Sequence, residues 1–196
     1  MLIYMVRHGQ TDWNAEGRLQ GQKDVALNEL GQAQATRNGE VLLDLTGGDP
    51  SSFDFVASPL SRTRETMERL RVAMGLDPAG YHTDERLLEL SFGDWEGHTL
   101  EEVDSFAPER LLARIEQKWN FIPPGDDAES YEILSWRVGA WLRSINSPTI
   151  CVTHGGVIRS IFRLVAQVSE DDAAQMNVPQ DKVLKVDLGA GALHWI

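Results

Sequence analysis

Leu2-Ile3-Tyr4-Met5-Val6, followed without a break by Arg7-His8-Gly9-Gln10-Thr11-Asp12-Trp13-Asn14, decides how the chain is read. A short uninterrupted apolar run, rich in branched residues and closed by glycine, reads as a buried strand. The polar cluster begins abruptly at its carboxyl end, the edge where open α/β sheets bind ligands. Arg7 offers a fixed cation there and His8 a titratable nitrogen, the pair that a phosphoryl group requires.

Two further stretches repeat the construction. Phe53-Asp54-Phe55-Val56-Ala57 precedes Ser58-Pro59-Leu60-Ser61-Arg62, and Thr149-Ile150-Cys151-Val152-Thr153 precedes His154-Gly155-Gly156. Each is followed by a helical pattern, so parallel strands would gather Arg7, His8, Arg62 and His154 along one edge. Near the end, residues 182–188 and 192–196 flank Gly189-Ala190-Gly191 as a hairpin. The expected class is α/β, a three-layer α/β/α sandwich with a mostly parallel central sheet and an antiparallel edge strand.

These blocks resemble the histidine phosphatase superfamily, the phosphoglycerate mutase-like proteins. The resemblance is carried by Arg7-His8-Gly9 with Thr11 and Asn14, then Gln20-Gly21, then Ser58-Pro59-Leu60-Ser61-Arg62-Thr63. It continues through Leu88-Glu89 ahead of Phe92-Gly93-Asp94-Trp95-Glu96-Gly97 and closes with Thr153-His154-Gly155-Gly156, spanning nearly the whole chain. It implies a phosphatase of small phosphomonoesters that works through a phosphohistidine on His8. Arg7, Arg62 and a protonated His154 would hold the transferring oxygens, with Glu89 as general acid. Asn14, Gln20, Gly21 and Gly155 would complete the phosphate pocket. No metal and no cofactor is expected, because two arginines neutralise the charge that Mg²⁺ neutralises elsewhere.

Individual residues sharpen this picture. Leu87, Leu88 and Leu90 flank Glu89, and the burial they suggest would favour its proton-donating form; Glu85 is the second candidate. Asn28 reads as the N-cap of a helix through about Leu45, stopped by Gly47-Gly48-Asp49-Pro50. Ser58-Pro59 reads as N-cap and first turn of another, with Thr63, Thr66, Met67, Leu70, Ala73 and Met74 as its buried stripe. That places Arg62 in the first turn, where free N–H groups favour an anion. Arg64, Arg69 and Arg71, interleaved with Glu65 and Glu68, read as a solvated face. Residues 11–25 read as a loop. Gln20 there is equally an anion ligand or a turn residue, and Gly21 would let backbone approach a ligand. Arg110, Arg114 and Lys118 recur every four residues and could rim the pocket, although Glu109 and Glu116 favour a solvated face. Trp119, Phe121, Ile122, Pro123 and Pro124 read as core contacts or an apolar lid. His82, His98 and His194 read as surface or structural residues.

Bulk properties exclude more than they select. The 196 residues, 42% apolar, suit a single domain over 1–196. A net charge of −12 without any basic run opposes nucleic acid and anionic membrane, and no stretch is long enough to span a bilayer. Cys151 alone cannot form an internal disulfide, so the expected setting is reduced and cytoplasmic. The expected partner is a small phosphate ester, with a homodimer left open. There is no P-loop, dinucleotide fingerprint, HExxH or HxH. Two rivals remain. A phosphoglycerate mutase would use the same site, yet the mutases follow the acid with Arg and place a Lys further on, where this chain has Leu90 and Leu100. A non-catalytic phospholigand-binding module would be expected to lose His8 or Glu89, and both are present.

Overall fold

The computed structural model describes all residues, 1–196, and sets its first strand at the centre of the sheet. The strands are β1 (Leu2–Arg7), β2 (Asp54–Ala57), β3 (His82–Thr83), β4 (Thr149–Thr153), β5 (Val183–Asp187) and β6 (Ala192–Trp195). They lie in the order β3-β2-β4-β1-β5-β6. The first four are mutually parallel, while β5 runs against β1 and β6 returns against β5. The antiparallel edge is thus the expected hairpin, with β5 the strand that opposes the rest.

Eight helices cover the sheet and its ends: α1 (Asp12–Ala15), α2 (Glu29–Leu45), α3 (Ser61–Ala73), α4 (Leu100–Phe106), α5 (Pro108–Glu116), α6 (Tyr131–Ser144), α7 (Gly155–Ala166) and α8 (Glu170–Gln175). Side chains alternate along β1 with period two. Tyr4 and Val6 pack with Leu42 of α2 and Met67 and Leu70 of α3. Ile3 and Met5 pack with Leu134, Val138 and Trp141 of α6 and Ile158 and Ile161 of α7. Both faces of the strand are therefore dry, which is why it is apolar throughout, and three layers follow.

Asn28 caps α2 through a side-chain bond from Gly31 N–H at 2.9 Å. Helix α3 begins at Ser61, two residues later than the Ser-Pro pair suggests. Ser58 N–H still donates to Val152 at 3.0 Å, extending the sheet pairing, and its hydroxyl is committed elsewhere. Arg62 nevertheless lies in the first turn. Arg71 is not on a solvated face: it is buried, its guanidinium 4.3 Å above the Phe55 ring and its Nε donating to Asp77 O at 2.7 Å. The stretch read as a loop contains α1, closed by a capping box between Thr11 and Asn14.

Trp119 stacks on Tyr131 at 5.5 Å and Phe121 on Trp95 at 5.3 Å, so the aromatic residues after α5 are core contacts. No helix is long and apolar enough to cross a membrane.

Candidate active site

The register of the sheet builds the site. Arg7 pairs with Thr153, so His8 and His154 leave β1 and β4 side by side, their rings edge-on at 5.2 Å. Beside them opens a cleft of about 130 Å³. Arg7, His8, Asn14, Gln20, Gly21, Arg62, Glu89 and Gly155 all line it; His154 is wholly buried next to His8. Glu85 is exposed, in the short 3₁₀ turn Glu85–Leu87, and does not reach the cleft.

His8 Nδ1 lies 2.8 Å from the Gly9 carbonyl, which can only accept, so Nδ1 carries the proton and Nε2 keeps its lone pair. Burial, followed by the charges of Arg62 and Arg7, pushes the His8 pKa well below the usual histidine range, and the Gly9 bond opposes this only in part. The ring is a neutral nucleophile with a fixed tautomer. Gly9 must lack a side chain because a Cβ there would stand 2.2 Å from Gly31 O at the start of α2.

His154 departs from the expectation of a protonated clamp. Burial lowers its pKa well below the usual range, and Arg62, His8 and Arg7 push the same way. It is neutral. Nε2 meets the Ser58 hydroxyl at 2.7 Å, and Nδ1 is buried without a protein partner.

The two arginines differ in how much they leave free. Arg7 Nη1 donates to Val178 O at 2.9 Å, while its Nε is buried and unpaired. Arg62 donates from Nη1 to Lys23 O and from Nη2 to Gly21 O, each at 2.7 Å. The Gln20 amide, turned with its oxygen toward Arg62, accepts from Nε and Nη1 at 3.1 Å. Nε once, Nη1 twice and Nη2 once leave Arg62 one of five N–H groups for a ligand. Gln20 therefore braces Arg62. Burial lowers both guanidinium pKa values to about 10, still charged at neutral pH. Gly21 adopts φ 53°, and a Cβ there would fall 2.0 Å from Glu96 Oε1, so its need is for this turn and this neighbour. Asn14 Oδ1 accepts from Gln180 Nε2 at 3.0 Å, which fixes the amide at the cleft.

Glu89 is half-buried. Its Oε1 accepts from Leu90 N–H at 2.8 Å and from Gly156 N–H at 3.0 Å, and Oε2 from the same Gly156 group at 3.1 Å. Backbone donors in this arrangement serve a carboxylate. A Cβ on Gly156 would stand 2.3 Å from Glu89 Oε1, so the helix start is bare to admit the acid.

Four residues have roles that sequence reasoning missed. Gly156 was visible only as the second of two adjacent glycines. Ser58 gave a helix-start signal instead, and neither Gln180 nor Arg159, which also lines the cleft, gave any. Arg110 is exposed as expected, but Arg114 is buried and Lys118 half-buried, which corrects the reading of a solvated face.

Known proteins resemble this chain in sequence and fold. A profile for the histidine phosphatase superfamily (branch 1) matches residues 3–195. A glucosyl-3-phosphoglycerate phosphatase of Mycolicibacterium vanbaalenii is 34% identical, over 99% of this chain and 82% of its own. A probable phosphoglycerate mutase of Salmonella paratyphi C is 37% identical, over 78% of this chain and 69% of its own. The native structure of mycobacterial glucosyl-3-phosphoglycerate phosphatase superposes with a TM-score of 0.76 at 30% identity, covering 94% of this chain and 88% of that one.

Proposed function

The chain belongs to the histidine phosphatase superfamily, and from that premise we propose that it is a phosphatase of small phosphorylated metabolites, acting through phospho-His8 without a metal ion. One observation carries this reading. His8 is neutral, its Nδ1 proton is tied to Gly9, and His8 lines the cleft that Arg7 and Arg62 also line. We treat residues 1–196 as one catalytic domain, with a phosphate ester as partner in place of nucleic acid or membrane. The lone buried thiol of Cys151 supports a cytoplasmic setting.

In this reading the ester enters as a monoanion and passes its proton to Glu89 as its phosphoryl oxygens settle on Arg7 and Arg62. His8 Nε2 then attacks phosphorus. The P–N bond forms as the P–O bond to the alcohol breaks, and the leaving oxygen takes the Glu89 proton. In the second half Glu89 withdraws a proton from water, the water oxygen attacks phosphorus, and the P–N electrons return to His8. Arg7, Arg62 and the Nδ1–H of neutral His154 stabilise the negative charge on the equatorial oxygens. The guanidinium groups supply this charge in place, which supports metal independence.

The phosphohistidine is testable by rapid quench. Wild type mixed with a ³²P-labelled monoester in EDTA should yield acid-labile, base-stable label, and His8→Ala should yield none while turning over at least about 10³-fold more slowly. Turnover by His8→Ala near that of wild type would end this mechanism.

A further inference from the structure

Glu89 has no regular secondary structure to hold it. It follows the 3₁₀ turn Glu85–Leu87 in a stretch, 88–92, that is neither helix nor strand, so no ladder of backbone bonds fixes where it stands. A reacting group misplaced by about 1 Å can nonetheless cost roughly a hundredfold in rate. The restraint on this backbone comes from side chains instead.

Arg137, in the second turn of α6, supplies most of it. Its Nη1 donates to Arg86 O at 2.9 Å and to Leu88 O at 2.6 Å, and its Nη2 to Glu89 O at 3.0 Å. Glu129, just ahead of the Ser130 N-cap of the same helix, takes the rest. Nε donates to its Oε1 at 3.0 Å and Nη2 to its Oε2 at 2.8 Å. All five N–H groups of the guanidinium are thus committed, three of them to the backbone that leads into Glu89, and none is left for a ligand. Glu129 also grips the far side of the acid. Its Oε2 accepts from Ser91 N–H at 3.3 Å, and its own N–H donates to Ser91 O at 3.0 Å. Leu87 O accepts from the Thr153 hydroxyl at 3.0 Å, so the four carbonyls from 86 to 89 all accept from side chains.

The pair is built for this backbone and not for substrate. The two side chains are only 20% and 16% exposed, their charges cancel, and neither lines the cleft. A fork is required, because three carbonyls are shared between two nitrogens; a lysine would offer its donors from one point. We propose, on the phosphatase reading with Glu89 as its acid, that Arg137 locked by Glu129 is the positioning residue of that acid. It sets the backbone from which Glu89 reaches the leaving oxygen, while Leu90 and Gly156 N–H orient the carboxylate itself.

The test uses Arg137→Lys and, in case that variant folds poorly, Arg137→Met/Glu129→Gln, which leaves no lone buried charge. Each is assayed on phenyl phosphate and p-nitrophenyl phosphate, which are nearly the same shape. Phenoxide departs poorly without a proton, and p-nitrophenolate needs none. The phenyl to p-nitrophenyl ratio of kcat/KM is independent of any inactive fraction. It should fall at least about tenfold in both variants, and further in Glu89→Gln. The inhibition constant of inorganic phosphate should keep its wild-type value, because Arg7 and Arg62 are untouched. A wild-type ratio in either variant, or phosphate inhibition weakened as much as turnover, would overturn the inference alone. If Glu89→Gln itself keeps the wild-type ratio, the reading of Glu89 as acid falls and this role with it. Failure of wild type to hydrolyse either ester would instead overturn the phosphatase reading.

Discussion

A single proton at Ser58 governs what His154 can offer. If the hydroxyl donates to Nε2, across the 2.7 Å between them, the ring proton stays on the unpaired Nδ1 and can serve a phosphoryl oxygen. Ser58 is then a positioning residue. Ser58→Ala should lower kcat by about tenfold to a hundredfold, the worth of one oriented hydrogen bond, and Ser58→Thr should restore most of it. Nitrogen-15 chemical shifts should show the His154 tautomers mixing in Ser58→Ala; an unmixed tautomer would rule the role out. The residues that sequence alone could place, Arg7, His8, Arg62, Glu89 and His154, are those near the ends of short apolar runs or amid leucines. Their protonation was not legible. The neutrality of His154 comes from burial and from Arg62, which stands 92 positions earlier in the chain, and no local pattern reports that.

Helix starts carry the chemistry one level up. At α7 the second residue, Gly156, both donates to Glu89 and leaves the space it fills. Gly156→Ala improves intrinsic helix propensity by about 1 kcal/mol, so the helix should persist. Its Cβ would nonetheless displace the carboxylate, standing also 3.1 Å from Leu134 Cδ2. Hydrolysis of an alkyl phosphate should then fall at least about tenfold more than that of p-nitrophenyl phosphate, whose leaving group departs without a proton. Equal losses on both substrates would dissociate Gly156 from proton donation. Asn28 was legible as a cap because its partner lies three residues away. Ser58-Pro59 misled because sheet pairing with β4, a long-range event, holds Ser58 extended. The face of α5 was hidden for a similar reason: mixed charges every fourth residue resemble a solvated surface until Leu111 fixes which side turns inward.

Across the molecule, two buried neutral histidines make stability depend on pH. Both His8 and His154 have folded-state pKa values below the ordinary 6.5, so below that pH the unfolded chain binds protons that the native state refuses. Their contribution is complete above 6.5 and is lost as pH falls, at about 1.4 kcal/mol per pH unit for each. Urea midpoints should therefore drop between about pH 7.5 and 5.5, and His8→Ala/His154→Ala should flatten that drop; an unchanged slope would show that the histidines do not cause it. The fold class was legible because strands covered on both sides must be apolar throughout. β3 was not, since His82 and Thr83 are both exposed and form a strand only by pairing with β2. The position of β1 has one more consequence. Its neighbours β4 and β5 begin at residues 149 and 183, and Val178 and Gln180 supply the partners of Arg7 and of His8 O. Synthesis makes the sheet's central strand well before the strands that flank it, so residues 2–7 wait for residues 149–187 before they can be enclosed. A nascent chain therefore has its first site residues in hand long before Val178, Gln180 and β5 exist to enclose them.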